Sequence, residues 1–215
     1  MKNKITLIAT GIVLAFSLTA CSGNEPAAST AQEPQNVTTI EATPIAADSE
    51  LVSLEGILLE GPVILTSVGQ SADVSIVNTL FSKAGVDASM SNTLTDSELD
   101  GYKTLVLAIG GSSKGLGAAG IDENQELDRV NALITKAKAD GIKILSLHIG
   151  GSARRGVLSD MFIPSSIENA DVAIILGEGD TDNLMRDMLI KGSIPSEYVG
   201  TQVDTIEPIK ALFGK

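Results

Sequence analysis

The chain has 215 residues, of which 43% are hydrophobic, and its 27 acidic and 15 basic side chains give a net charge of −12. A chain this acidic lacks the basic face that nucleic-acid binding requires, so we expect no nucleic-acid partner. Its single cysteine excludes an intramolecular disulfide, and its single histidine argues against a His-rich metal site, so we expect neither a metal nor a cofactor.

The first twenty residues have the pattern of a secretory signal peptide. Lys2 and Lys4 provide a basic start, and an uncharged, mostly apolar run over residues 5–20 follows. The run ends in the sequence Leu-Thr-Ala-Cys, which resembles the bacterial lipobox, where the chain is cut before the cysteine and the sulfur receives a diacylglycerol group. A transmembrane anchor is the alternative, but the run is short for a span of about 20 residues. We therefore expect lipidation at Cys21 and a location on the extracytoplasmic face of the cell membrane, with membrane lipid as the partner.

The segment after Cys21 has the composition of a tether. Residues 22–50 contain five acidic side chains, no basic ones and few bulky apolar ones, so they cannot bury enough surface to fold. The signal contributes +2 and the tether −5 to the net charge, which leaves −9 for residues 51–215. We predict a signal peptide over 1–20, a lipidated cysteine and disordered tether over 21–50, and one α/β domain over 51–215.

Strands and helices alternate along this domain. In its first half we predict a strand at 62–66, a helix at 71–84, a weak and polar strand at 86–90, and a strongly apolar strand at 104–109. Residues 110–120 contain five glycines, and we predict a loop there. Asp122 and Gln125 have the spacing of a capping box for the helix that follows, which should end at Gly141.

The second half continues the alternation. We predict a strand at 143–149, a helix at about 153–163 with a break or new turn at Pro164, and a strand at 171–176. A helix at 181–191 ended by Gly192, a short strand at 197–199 and a last helix capped by Asp204 complete the chain.

This order predicts an α/β fold: a three-layer α/β/α sandwich with a parallel sheet of five or six strands, flavodoxin-like or Rossmann-like. The polar second strand belongs at an edge of the sheet. It therefore favours the flavodoxin-like order 2-1-3-4-5, extended if a sixth strand is present, over the Rossmann order 3-2-1-4-5-6. In such sheets ligands bind beyond the carboxyl ends of the strands, at the point where the order reverses.

The loops at that edge are rich in glycine and small hydroxyl residues. By this topology Lys114, Arg154 and Arg155 converge there, which in an acidic domain suggests a small polar, anionic or carboxylate-bearing ligand, held also by backbone N–H groups at helix starts. The alternative is that the glycines only permit tight turns and that the cations face solvent. The candidate ligand-binding residues are Ser67, Gln70, Ser71, Gly111, Ser112, Ser113, Lys114, Gly151, Ser152, Arg154 and Arg155.

Residues 110–120 also permit cofactor interpretations. Residues 115–120 match the pattern G-x-G-x-x-G, and residues 110–117 resemble the nucleotide loop of short-chain dehydrogenases, but that family has a Tyr-x-x-x-Lys pair that this sequence lacks. A flavin would need aromatic side chains around its ring, and these are scarce. Both interpretations are weak.

A serine-dependent hydrolase is the alternative to a binding protein. Gly111–Gly115 fits the nucleophile elbow G-x-S-x-G with Ser113 as the nucleophile, Ser112 as a substitute and His148 as the only available base. However, an elbow turns directly into a helix, whereas we expect further loop residues before Asp122. A protein-interaction adaptor is the third possibility. The sequence assigns no catalytic residue.

Three motifs together resemble a family of exported bacterial proteins. Gly-Gly-Ser-Ser-Lys-Gly-Leu-Gly-Ala-Ala-Gly-Ile-Asp at 110–122, His-Ile-Gly-Gly at 148–151 and Ala-Arg-Arg-Gly at 153–156 are similar to domain-of-unknown-function family 6305. The resemblance covers roughly residues 62–213. It implies a Rossmann-like α/β sandwich outside the cytoplasm and assigns no activity, ligand or catalytic residue.

Overall fold

The computed structural model describes residues 50–215, so the predicted signal peptide, Cys21 and nearly all of the tether lie outside it. Six parallel strands form one sheet in the order β2-β1-β3-β4-β5-β6, which confirms the flavodoxin-like order and the sixth strand. The strands are β1 (Val63–Val68), β2 (Ala88–Met90), β3 (Thr104–Ile109), β4 (Lys143–His148), β5 (Val172–Leu176) and β6 (Ser196–Val199).

Helices cover both faces of this sheet, as the α/β/α prediction requires. They are α1 (Asp73–Lys83), α2 (Ser113–Ala119), α3 (Glu123–Asp140), α4 (Val157–Asp160), α5 (Ile163–Glu168), α6 (Leu184–Gly192) and α7 (Ile206–Leu212). Apolar residues of α1 and α7 pack on one face, and those of α3, α5 and α6 pack on the other. None of the helices between residues 50 and 215 has both the length and the hydropathy needed to cross a membrane.

Burial explains the strand patterns. Every residue of β1, β3 and β5 is buried, which accounts for their nearly continuous apolar sequences. Strand β2 lies at an edge and exposes most of its residues, as its polar sequence predicts. The capping box of α3 also forms: Asp122 accepts a hydrogen bond from the Gln125 N–H at 2.8 Å, and Gln125 accepts one from the Asp122 N–H at 2.9 Å.

The predicted loop over 110–120 is wrong, because residues Ser113–Ala119 form helix α2. The Ser112 hydroxyl caps this helix by accepting a hydrogen bond from the Gly115 N–H at 3.1 Å, and Gly120 ends it in a left-handed conformation with φ 72°. Two glycines inside a helix lower its intrinsic propensity, which is why the sequence suggested a loop. Packing outweighs that propensity: a Cβ added to Gly115 would lie 1.8 Å from the Gln70 carbonyl oxygen, so only glycine fits there.

Three other boundaries differ from the prediction. The single helix expected after β4 is divided: Gly156, with a φ of 102°, separates a 3₁₀ turn (Gly151–Arg154) from α4, and a separate helix α5 has Pro164 in its first turn. Helix α6 includes Gly192 and ends at Ser193, which takes the left-handed conformation instead. Asp204 lies in a short 3₁₀ turn before α7 and does not cap that helix.

The described chain enters the domain at the amino end of the sheet. The carbonyl oxygen of Val52 accepts a hydrogen bond from the N–H of Ser196, the first residue of β6, at 2.8 Å. The carboxyl ends of the parallel strands, where ligands bind in this type of sheet, lie at the opposite edge.

Candidate functional site

The carboxyl ends of β1, β3 and β4 lie side by side. Strand β1 pairs with β3 over its whole length, and β3 pairs with β4, so the loops that follow these strands meet at one edge of the sheet. A single bridge between Gln70 and Gly111 joins the first two of these loops. The predicted adjacency of the three strands is therefore confirmed, and their carboxyl ends form the candidate site.

The part of this edge between β1 and β3 is filled by a buried carboxylate. Glu126, from the first turns of α3, is fully buried and accepts a hydrogen bond from the Gly69 N–H at 2.8 Å. The Gln70 side-chain amide donates to both of its carboxylate oxygens at 3.1 Å. The sheet order reverses here, so protein side chains occupy the position where the topology predicted a ligand.

Arg129 neutralises this carboxylate. Its guanidinium lies 2.8 Å from Glu126, and it also donates to the carbonyl oxygens of Ser67 at 2.6 Å and Leu94 at 2.7 Å. The Arg129 side chain is only 12% exposed. Gln70, Glu126 and Arg129, here the Glu126 cluster, thus connect β1, α3 and the loop after β2.

Sequence reasoning missed the Glu126 cluster, although a signal for it was present. Glu126 lies four residues before Val130 and seven before Leu133, so it is in phase with the apolar stripe that faces the sheet. A carboxylate in phase with such a stripe must be buried, and a buried carboxylate needs a charged or hydrogen-bonding partner.

A second acid–arginine pair lies at the ends of β1, β3 and β4. Arg154 donates from Nε to Asp73 Oδ2 at 2.9 Å; the Asp73 side chain is 5% exposed and that of Arg154 is 28% exposed. The Arg154 Nη1 and Nη2 atoms donate to no residue within 50–215. This pair, the Asp73–Arg154 pair, therefore leaves one end of a guanidinium without a protein partner in the described part of the chain.

Two glycines make room for the Asp73–Arg154 pair. A Cβ at Gly110 would lie 2.9 Å from Asp73 Oδ2 and 3.0 Å from Arg154 Cδ. One at Gly150 would lie 2.0 Å from Arg154 Cγ. The glycines that follow β3 and β4 thus allow both side chains to lie directly against the backbone.

Arg155, although predicted to join Arg154 in binding, is engaged elsewhere. It donates from Nε to Asp160 and from Nη2 to Asp182, both at 2.8 Å, and from Nη1 to the Gly179 carbonyl oxygen at 2.6 Å. Hydrogen bonds to Asp182 and Asp160 raise the pKa of Arg155, and its guanidinium lowers the pKa of Asp182 to about 2. Arg155 thus holds together the loops that follow β4 and β5.

His148 supports the turn that carries Arg154. The ring is fully buried, and its Nε2 lies 2.9 Å from the Arg154 carbonyl oxygen, which only accepts, so Nε2 carries the proton. Nδ1 is buried and has no hydrogen-bond partner among residues 50–215, and a Cβ at Gly179 would lie 2.8 Å from Cε1. Burial lowers the pKa of His148, so the ring is neutral at pH 7.

The other predicted site residues divide into two groups. Three of the side chains have protein partners: Ser67 donates to the Ser71 carbonyl oxygen at 3.2 Å, Ser71 Oγ accepts from the Asp73 N–H at 3.2 Å, and Ser112 caps α2. Gly111 donates its N–H to Ser159, and Gly151 is buried. Exposed side chains occur at the remaining predicted positions, which are Ser113, Lys114 and Ser152.

The hydrolase interpretation lacks a base for its serine. Helix α2 begins at Ser113, so the sequence argument against an elbow there is wrong. However, Ser113 is exposed, whereas His148 is fully buried and uses its protonated nitrogen on the Arg154 carbonyl oxygen. Within residues 50–215 the two side chains share no hydrogen bond, so the structure does not assemble a Ser–His pair.

The family model for a domain of unknown function (DUF6305) matches residues 60–213. The chain belongs to DUF6305. The resemblance drawn from the three sequence motifs is thereby confirmed. A search of curated proteins found no match to this DUF6305 chain.

Two solved structures show weak similarity to this DUF6305 chain. The crystal structure of TesA is 16% identical, with a TM-score of 0.26, covering 48% of this chain and 69% of its own. The psychrotrophic esterase EstA from Pseudoalteromonas sp., inhibited by monoethylphosphonate, is 12% identical with a TM-score of 0.29, covering 65% of this chain and 78% of its own. These TM-scores are too low to support any argument about function.

Proposed function

We propose that this DUF6305 chain is a lipid-anchored, extracytoplasmic binding domain that takes a small polar or anionic ligand at the carboxyl edge of its sheet. The observation that carries the proposal is Arg154, whose guanidinium is 28% exposed and is held through Nε by a nearly buried Asp73. A guanidinium that is already oriented loses little conformational freedom when a ligand binds to its other end.

Other features of the edge support binding. Lys114 is exposed in the first turn of α2 and adds a second cation to the loops that follow β3 and β4. The glycines at 110 and 150 let the Arg154 and Asp73 side chains lie directly against the backbone, which limits the movement of the guanidinium.

The place where the chain enters the domain is consistent with an anchored receptor. Val52 contacts the first residue of β6, at the amino end of the sheet, whereas Arg154 lies at the carboxyl end. Val52 thus lies at the edge of the sheet opposite the proposed site.

The anchor has its own test. Cys21→Ala removes the only sulfur to which a diacylglycerol could be attached, so the precursor should accumulate uncleaved. Ser22→Ala, next to the cysteine, is the matched control and should mature normally. Normal cleavage and membrane retention of the Cys21→Ala protein would refute the lipid anchor and would leave the binding proposal standing.

The binding site is tested by thermal unfolding of the mature full-length chain with small carboxylates, inorganic phosphate, sulfate and neutral sugars. A ligand at 100 times its Kd stabilises the folded state by about 2.7 kcal/mol. We expect at least one anion to stabilise the wild type and Arg186→Gln, whose arginine follows β5 and not β1, β3 or β4, but not Arg154→Gln. Equal stabilisation of Arg154→Gln, or none in the wild type, would refute the proposed site.

A protein-interaction role has one specific observation in its favour. Val157, at the start of α4, is 92% exposed, close in sequence to Arg154 and Arg155. A photo-crosslinking residue placed at Val157 should capture a partner in cells if this face docks a protein, and one placed at the exposed Val203 should not. Capture at both positions or at neither would remove the adaptor interpretation.

A further inference from the structure

We infer that the ligand of this site is a carboxylate, received by the Nη1 and Nη2 atoms of Arg154, and not a phosphate. The inference rests on the proposed function and names the chemical class of its ligand. Three features support it: the backbone amides of the glycine-rich segment, the free end of the Arg154 guanidinium, and the charges around it.

The glycine-rich segment after β3 does not form a phosphate cradle. Such a cradle needs several free backbone N–H groups that point at one position. Most of the amides here donate within the protein, and only those of Ser113 and Lys114 remain free between residues 110 and 115. The engaged donors and their acceptors are Gly69 to Glu126, Gly110 to Val68, Gly111 to Ser159, Ser112 to Gly69 and Gly115 to Ser112.

The same hydrogen bonds correct an expectation drawn from the sequence. We had expected backbone N–H groups at helix starts to help hold the ligand, but α2 has only seven residues and its third N–H is already capped by Ser112. Binding must therefore depend mainly on side chains, and among residues 50–215 the Arg154 guanidinium, oriented by Asp73, has two nitrogens without a protein partner.

The free end of Arg154 has the geometry that a carboxylate requires. Asp73 occupies Nε at 2.9 Å, which fixes the plane of the guanidinium and leaves Nη1 and Nη2 as two nearly parallel donors. A planar carboxylate accepts both of these hydrogen bonds at once, one on each oxygen. Asp73 contacts Arg154 and not the ligand, so it is a positioning residue.

The charges at this edge disfavour a dianion. Asp73 already balances Arg154, and Glu178 is exposed nearby, with its Oε1 2.0 Å from the position of a Cβ on Gly151. Asp160 and Asp182 surround Arg155 at the same edge. The four acids outnumber the three cations at this edge, Lys114, Arg154 and Arg155, so a second negative charge on the ligand adds net repulsion.

Calorimetric titration of the mature full-length chain in detergent with acetate, propionate and inorganic phosphate tests the inference. We expect both carboxylates to bind the wild type, and phosphate to bind about tenfold more weakly or not at all. Arg154→Lys keeps the charge but loses the second parallel donor, so carboxylate affinity should fall about tenfold. Arg186→Lys is the matched control and should bind as the wild type does.

Three results would overturn the inference, and they are distinguishable. Tighter binding of phosphate than of acetate, still dependent on Arg154, would overturn the carboxylate assignment and leave the proposed binding site intact. If no probe produced heat that depends on Arg154, the carboxylate assignment and the proposed site would both fail. Carboxylate affinity unchanged by Arg154→Lys would show that charge alone is recognised and would also overturn the assignment.

Discussion

Two acid–arginine pairs lie at the same edge of the sheet, and they differ in how much of the arginine the protein uses. In the Glu126 cluster, Arg129 is 12% exposed and donates to a carboxylate and to two backbone carbonyl oxygens. In the Asp73–Arg154 pair, Arg154 is 28% exposed and donates only to Asp73 among the described residues. The first pair closes the switch point of the sheet, and the second leaves donors facing solvent.

This difference shows that topology alone does not locate a binding site. The sheet order places the expected ligand position between β1 and β3, where the Glu126 cluster fills the space. The accessible guanidinium is displaced towards β4. The Glu126 cluster is therefore a structural pair, whereas the Asp73–Arg154 pair is available to a ligand. Mutations in the two pairs should change the stability of the protein by different amounts.

The largest effect is expected from removing the buried carboxylate. Glu126→Ala leaves Arg129, the Gly69 N–H and the Gln70 amide without their acceptor, so the free energy of unfolding should fall by about 3–5 kcal/mol in urea denaturation. Asp128→Ala, on the exposed side of α3, should change it by less than about 0.5 kcal/mol. A small loss for Glu126→Ala would mean that the cluster is not structural.

A smaller effect, of opposite sign at two positions, is expected within α2. A Cβ at Gly115 would lie 1.8 Å from the Gln70 carbonyl oxygen, so Gly115→Ala should destabilise the protein by about 1–3 kcal/mol. At Gly117 nothing lies within 4 Å, so Gly117→Ala should stabilise it by about 0.5–1 kcal/mol through helix propensity. The difference in urea midpoint between the two variants is the measurement, and equal midpoints would contradict the close contact with Gln70.

The next effect depends on pH. Burial lowers the pKa of His148 below its ordinary 6.5, so below pH 6.5 the unfolded chain binds a proton that the folded chain does not. Stability should therefore be complete above pH 6.5 and should fall with acidification towards the folded-state pKa, by at most about 1.4 kcal/mol per pH unit.

His148→Phe supplies the control for this pH dependence, because it removes the titration and keeps a buried ring. The slope of stability against pH between 6.5 and the folded-state pKa should become flatter in this variant. Since His148 is the only histidine, its Cε1 proton signal reports the folded-state pKa directly by NMR. A measured pKa at or above 6.5 would contradict the prediction.

The smallest effect is expected at the available pair. Arg154→Gln leaves the Asp73 carboxylate without its cation, but the Arg154 side chain is 28% exposed, so water can replace the guanidinium and the free energy of unfolding should fall by only about 1 kcal/mol. Arg129→Gln is the matched comparison and should cost several times more, since Arg129 is only 12% exposed and its loss takes donors from the fully buried Glu126 and from two backbone carbonyl oxygens. If the two variants lost the same free energy of unfolding, the distinction between the structural Arg129 and the available Arg154 would be wrong.

The sequence alone determined the fold and the family. Apolar runs at the positions of β1, β3 and β5 and the polar sequence of β2 predicted the sheet order, because burial on one or two faces selects residue types strand by strand. The capping box at Asp122 and Gln125 was predicted because its two hydrogen bonds join residues only three positions apart. The motif at 110–122 predicted the membership of DUF6305 that the family model confirms.

Tertiary structure alone decided which side chains remain available. Asp73 and Arg154 are 81 positions apart, and Glu126 and Gly69 are 57 apart, so no local pattern relates them. The same holds for α2, whose two glycines argue against a helix until Gly115 is seen against the Gln70 backbone. Local helix propensity depends on neighbours within one turn of the chain, whereas the partner of a buried charge depends on which residues the fold places beside it. The fold places Asp73 beside Nε of Arg154, and among the described residues the other end of the guanidinium has no partner.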